Sequence, residues 1–133
     1  MRSPLLSVRA LVAFVTLAAT AWLTGAPSAS AQTMVPGGNI AIQTWTPAGS
    51  PYIVQGDITV LAGGSLTIQA GTVVRFASTD GVGSGTDSGR VELIVNGTLA
   101  VTGTAAMPVS FAAQTGTSSS AWYGIRAMSG SSV

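Results

Sequence analysis

The chain downstream of residue 31 is predicted to be all-β, built from short parallel strands that stack coil upon coil as a solenoid. Three observations predict it. Short runs alternate apolar and other residues, and each closes on a glycine-bearing turn. Two stretches of sequence repeat one another at a raw offset of 33 to 35 residues. No helical period occurs after residue 32, where Gly, Thr, Ser and Val dominate.

The first 31 residues are of another kind. Arg2 and Arg9 flank a basic start, residues 10–23 form an uncharged apolar run, and Gly25 and Pro27 precede the small residues Ala29-Ser30-Ala31. A basic start, a short apolar helix and an A-x-A exit make a signal peptide, cleaved between Ala31 and Gln32. The apolar run is shorter than the ~20 residues that a spanning helix needs. The mean hydropathy of +0.52 is carried largely by this segment. No Cys occurs, so no lipidated cysteine tethers the chain and no disulfide staples it. The predicted organisation is a signal peptide over 1–31, an N-terminal cap segment over 32–56 and an incomplete parallel β-helix over 57–133. The expected destination is the periplasm, the cell surface or the medium.

Strands are expected at 58–60, 66–69, 73–76, 91–95, 99–101, 109–112 and 123–127. Aligning the repeats sets Leu66 against Leu99, Ile68 against Val101, Val74 against Val109 and Phe76 against Phe111. Removing the insertion at 78–89 leaves roughly 22 residues per coil, enough for three short strands and their turns. Parity then places charges outward. If Val74 and Phe76 face in, Arg75 faces out; Glu92 and Arg126 follow the same rule on their strands. Inner ladders of Leu66/Leu99 and Phe76/Phe111 would supply the core.

The segments from Trp45 to Val60 and from Gly64 to Phe76, then Val95 to Phe111 and Trp122 to Ile125, resemble the start of bacterial right-handed parallel β-helix proteins. The resemblance spans nearly all of the chain after residue 40. It implies the pectin-lyase-like fold, here about two to three coils of a longer solenoid. It carries architecture only: the superfamily includes polysaccharide lyases and hydrolases, adhesins and secreted proteins of other roles.

The residue inventory narrows the chemistry. After residue 31 the charges are Arg75, Arg90 and Arg126 against Asp57, Asp80, Asp87 and Glu92, a net of −1. A near-neutral chain without Lys lacks the clustered cations that nucleic acid requires. Without His there is no Ser-His catalysis, and without His or Cys no zinc site of the usual kind. Asp57 and Glu92 are the best-placed acid pair, set near one another on successive coils, but turn and surface roles are expected for them. Arg75 near Glu92 reads as a surface ion pair. The insertion offers Asp80 and Asp87 to calcium, but its spacing matches no known calcium loop, and a flexible surface loop is expected. Asn96-Gly97-Thr98 is formally a glycosylation sequon, and Asn-Gly is also a turn dipeptide. Trp45, Tyr52, Trp122 and Tyr123 offer a sugar-stacking platform, but the first two read as a plug over the open end. No catalytic residue, metal site or cofactor is assigned.

The expected function is an exported, non-catalytic β-helix module, structural or adhesive, contacting extracellular polysaccharide or cell-surface components. The alternative is the N-terminal fragment of a secreted polysaccharide lyase or hydrolase whose site lies on later coils.

Overall fold

The computed structural model describes residues 31–133. The predicted signal helix and all of the signal segment but Ala31 lie outside the described residues. What is described is all-β, with parallel pairing throughout and no α-helix among the described residues. No helix among them is long and apolar enough to cross a membrane.

Nine strands follow in order among the described residues: β1 (Thr33–Val35), β2 (Gly38–Trp45), β3 (Tyr52–Val54), β4 (Ile58–Gln69), β5 (Val73–Phe76), β6 (Glu92–Val95), β7 (Thr98–Thr102), β8 (Ser110–Ala113) and β9 (Gly124–Ala127). They fall into two sheets and alternate between them, except that β6 and β7 follow one another in the same sheet. One is ordered β1-β3-β5-β8; the other is ordered β2-β4-β6-β9, with β7 also paired to β4. Each strand thus pairs with the corresponding strand of the next repeat and not with its sequence neighbour. Such pairing needs crossovers, and here the opposite sheet supplies them.

Most of the expected strands are present within a residue or two, but 58–60 and 66–69 are joined. They are the two legs of β4, which turns a corner at Leu61–Gly64, where Gly63 adopts φ +74°. That value lies in the left-handed region open to glycine. The first leg pairs with β6 (Ile58↔Leu93, Val60↔Val95) and the second with β7 (Leu66↔Leu99, Ile68↔Val101). The repeat length is visible in Tyr52↔Val74, an offset of 22 residues.

The inward columns form the core. Ile40 lies over Val60, which lies over Val95. Leu66 and Leu99 stack likewise, and Val54 lies over Phe76. Ile58, Val60, Leu66, Ile68, Val74, Phe76, Leu93 and Val95 are fully buried. Each such side chain contributes roughly 1.5–3 kcal/mol by leaving water.

One expectation is corrected here, and strands are found where none was expected. The third-strand ladder is shifted by two residues: Val74 pairs with Phe111, not Val109, and Phe76 pairs with Ala113, not Phe111. A slip of two preserves the inward face, so the core survives the error. The segment 32–56, expected as a cap, carries three strands of its own. Trp45 on β2 pairs with Ile68, and Tyr52 on β3 pairs with Thr33 of β1 on one side and Val74 of β5 on the other, so these strands extend the two sheets. The physical reason is the alternation around Ile40 and the buried run Tyr52-Ile53-Val54, which can add to a parallel ladder like the later strands.

The corner between β6 and β7 is tight. Asn96 donates its backbone N–H to the Val60 carbonyl at 2.9 Å. A methyl group on Gly97 would collide with the backbone carbonyls of Leu61 and Gly64. Gly97→Ala is therefore expected to cost about 1–3 kcal/mol through overpacking, read as a lower urea midpoint. An unchanged midpoint would contradict this corner.

Candidate functional site

The feature with the densest polar chemistry lies where residues 78–89 fold over the start of β4 and β6. Asp57 immediately precedes β4, and Glu92 opens β6. Because Ile58 pairs with Leu93, these two acids occupy adjacent layers, as the sequence suggested. Their environment differs from expectation. Glu92 was expected to face solvent; it is fully buried, as is Asp57. Parity is respected, but the outer face of β6 is covered, and all four of its residues are buried.

The covering segment is held by carboxylates. Asp57 Oδ1 accepts the Glu92 N–H at 2.7 Å, and its Oδ2 accepts the Gly85 N–H at 2.6 Å and the Ser84 hydroxyl at 3.3 Å. Glu92 Oε1 accepts the N–H groups of Thr86 and Asp87 at 2.6 and 2.8 Å. Its Oε2 accepts the Arg126 guanidinium at 2.7 Å. Asp80 Oδ1 accepts the N–H groups of Asp57 and Val82, both at 2.9 Å, and Oδ2 that of Gly83 at 2.7 Å. Every oxygen of the three carboxylates is an acceptor, and no buried side-chain polar atom among the described residues lacks a partner. Charge-assisted bonds of this kind are about twice as strong as neutral ones.

The insertion is thus tied down through its own backbone donors rather than hanging as a flexible loop. Gly85 permits the approach: a Cβ there would fall 2.6 Å from Glu92 Oε1. Asp87 binds locally, accepting the Gly89 N–H at 2.9 Å and pairing with Arg90 at 2.6 Å. The calcium reading of Asp80 and Asp87 finds no support, since their oxygens face N–H and guanidinium donors. No three metal-ligating side chains converge among the described residues.

Arg75 is exposed and does not pair with Glu92. Glu92's cation is Arg126, a partner the sequence reading missed. The available signal was the repeat itself: Arg126 lies opposite Ile94, on the same strand face as Glu92 and two residues along. Asn96-Gly97 forms the corner described above, in keeping with the turn reading.

Burial alone would raise the carboxyl pKa of Glu92. The Arg126 guanidinium and the N–H groups of Asp87 and Thr86 outweigh it and hold the pKa below its ordinary value. Asp80 is likewise held low: desolvation is outweighed by the N–H groups of Val82, Asp57 and Gly83. A depressed folded-state pKa adds stability above the unfolded pKa, about 4, and that stability is lost as pH falls through the lower folded values. Urea midpoints are therefore expected to stay level from about pH 8 to 5 and to drop below about pH 4. A midpoint that rises on acidification would contradict the carboxylate clamp.

The four aromatics do not form one platform. Trp45, at the end of β2, and Tyr52, at the start of β3, are buried and stack on each other at 4.8 Å. Trp122 stacks on Phe76 at 4.0 Å, and Tyr123 lies under the Arg90 guanidinium at 5.2 Å, both beside the last layer. The first pair belongs to β2 and β3, whereas the second precedes β9, at the other end of the strand order β2-β4-β6-β9. An open cavity of about 330 Å³ borders the first pair, lined by Thr33, Met34, Gln43 and Trp45 among others. Its polar lining is already engaged in part: Gln43 Oε1 accepts the Trp45 indole N–H, and Thr33 Oγ1 donates to the Gly49 carbonyl.

No family model matches the chain, and no curated protein or solved structure matches it significantly.

Proposed function

We propose that the chain is an exported right-handed parallel β-helix module of the pectin-lyase-like kind, structural or adhesive in role and non-catalytic. Two parallel sheets with repeat-to-repeat pairing support the solenoid. The apolar run before Ala29-Ser30-Ala31 supports export to the periplasm, cell surface or medium. The observation that carries the non-catalytic reading is the state of the two best-placed acids. A two-carboxylate glycosidase needs an acid and a base or nucleophile facing a substrate gap. Asp57 and Glu92 instead spend their oxygens on backbone N–H groups, a hydroxyl and Arg126, beneath residues 84–87.

What remains outward is a nearly neutral surface rich in Thr, Ser and Gly, suited to contact with polysaccharide or cell-surface components. Binding of the purified chain 32–133 to a glycan array tests the adhesive role. Saturable binding to a polysaccharide class is expected. A folded chain that binds no glycan removes that role and leaves the structural one. Turnover of pectin-like polymers by the same chain would overturn the non-catalytic reading.

A further inference from the structure

We propose that Gln32 is a modification site: once the preceding segment is removed, its amine closes on its own side chain to give an N-terminal pyroglutamate. The inference rests on the export reading, which sets the cut between Ala31 and Gln32.

The chemistry is internal to one residue. The α-amine nitrogen attacks Cδ of the side-chain amide, a C–N bond forms, the Cδ–NH₂ bond breaks, and the amine's proton leaves with the departing nitrogen as ammonia. The five-membered lactam contains only N, Cα, Cβ, Cγ and Cδ of Gln32. No oxidant or cofactor is consumed.

The structure leaves this residue free to react. Gln32 is exposed and lies just outside β1. Its side chain makes no hydrogen bond to any described residue. The fold's grip begins one residue later: the Thr33 N–H donates to the Pro51 carbonyl at 3.0 Å, and Thr33 Oγ1 donates to the Gly49 carbonyl at 2.7 Å. Ring closure therefore breaks no contact of the first layer. It replaces a terminal ammonium with a neutral lactam and removes the free amine that an aminopeptidase needs. Protection of that end has structural value, since β1 is the outermost strand of its sheet among the described strands.

The full chain, expressed with its own leader in a bacterial host and recovered after export, provides the test. Mass spectrometry of the intact protein and its N-terminal peptide is expected to show a start at residue 32, one ammonia lighter than the uncyclised form. That terminus should resist amine labelling and become labelled at Thr33 after pyroglutamyl-peptidase treatment. Gln32→Ala is expected to be cut at the same bond and to keep a free, labelled amine. A start at Gln32 with an intact amine that persists on incubation would overturn the proposal while leaving the export reading standing. A start elsewhere, or an uncut chain, would overturn both.

Discussion

Phe76→Ala is expected to lower stability by about 3–5 kcal/mol, the range for truncating a buried aromatic. Phe76 is 1% exposed. It stacks against Trp122 at 4.0 Å and lies 6.4 Å from the ring of Phe111, so it joins β5 to the approach of β9. Its loss leaves a cavity beside β5 and frees Trp122. A chain of this size has a total stability of about 5–15 kcal/mol, so the variant should lose a large fraction of it. Urea unfolding followed by tryptophan fluorescence reads the effect. Arg75→Ala is the control: Arg75 is exposed, and a change within about 0.5 kcal/mol is expected. Equal losses for the two variants would contradict the assigned inward face of β5.

Asp57→Asn is expected to cost about 2–3 kcal/mol although the side chains are nearly the same size. An amide presents one acceptor and one donor. Whichever way it is turned, its NH₂ faces either the Glu92 N–H or the Gly85 N–H, donor against donor, while the Ser84 hydroxyl can turn to accept. Leaving a buried donor unpaired costs about 1–3 kcal/mol. Asp57→Ala removes the acceptor for all three and should cost at least as much. Hydrogen exchange of the Gly85 and Glu92 amides is the specific readout. Both should exchange faster in Asp57→Asn while amides of β7 and β8 change less. Uniform acceleration throughout the chain would indicate a general loss of packing instead of release of this clamp.

The parts of the fold legible in the sequence were those governed by period and by matching pattern. Leu66 and Leu99 align because the patterns that open each leg match, Gly64-Ser65-Leu66-Thr67-Ile68 against Gly97-Thr98-Leu99-Ala100-Val101, although the corner after Val60 is two residues longer than the one after Val95. The third strand was misaligned by two. The segment from Gly103 to Val109 is longer than its counterpart at Ala70-Gly71, and both Val109 and Phe111 satisfy the same parity. The strands before Asp57 were missed because their apolar residues are interrupted. Ile40 faces in while Ile42 is 79% exposed at the bend between the legs of β2. Glu92 shows the limit of parity most plainly. Alternation tells which way a side chain points but not what lies over it, and here an irregular insertion lies over it. The adjacency of Asp57 and Glu92 was legible from the repeat. Their use as acceptors for backbone N–H groups depends on loop geometry that no periodic signal encodes.

The central claim is the repeat-to-repeat parallel register of the two sheets, and nuclear Overhauser contacts on the isotope-labelled chain 32–133 test it most directly. The register predicts backbone contacts joining Leu66 to Leu99, Val74 to Phe111 and Phe76 to Ala113. Contacts joining Val74 to Val109 and Phe76 to Phe111 in register, or antiparallel contacts between neighbouring strands such as β4 and β5, would contradict it.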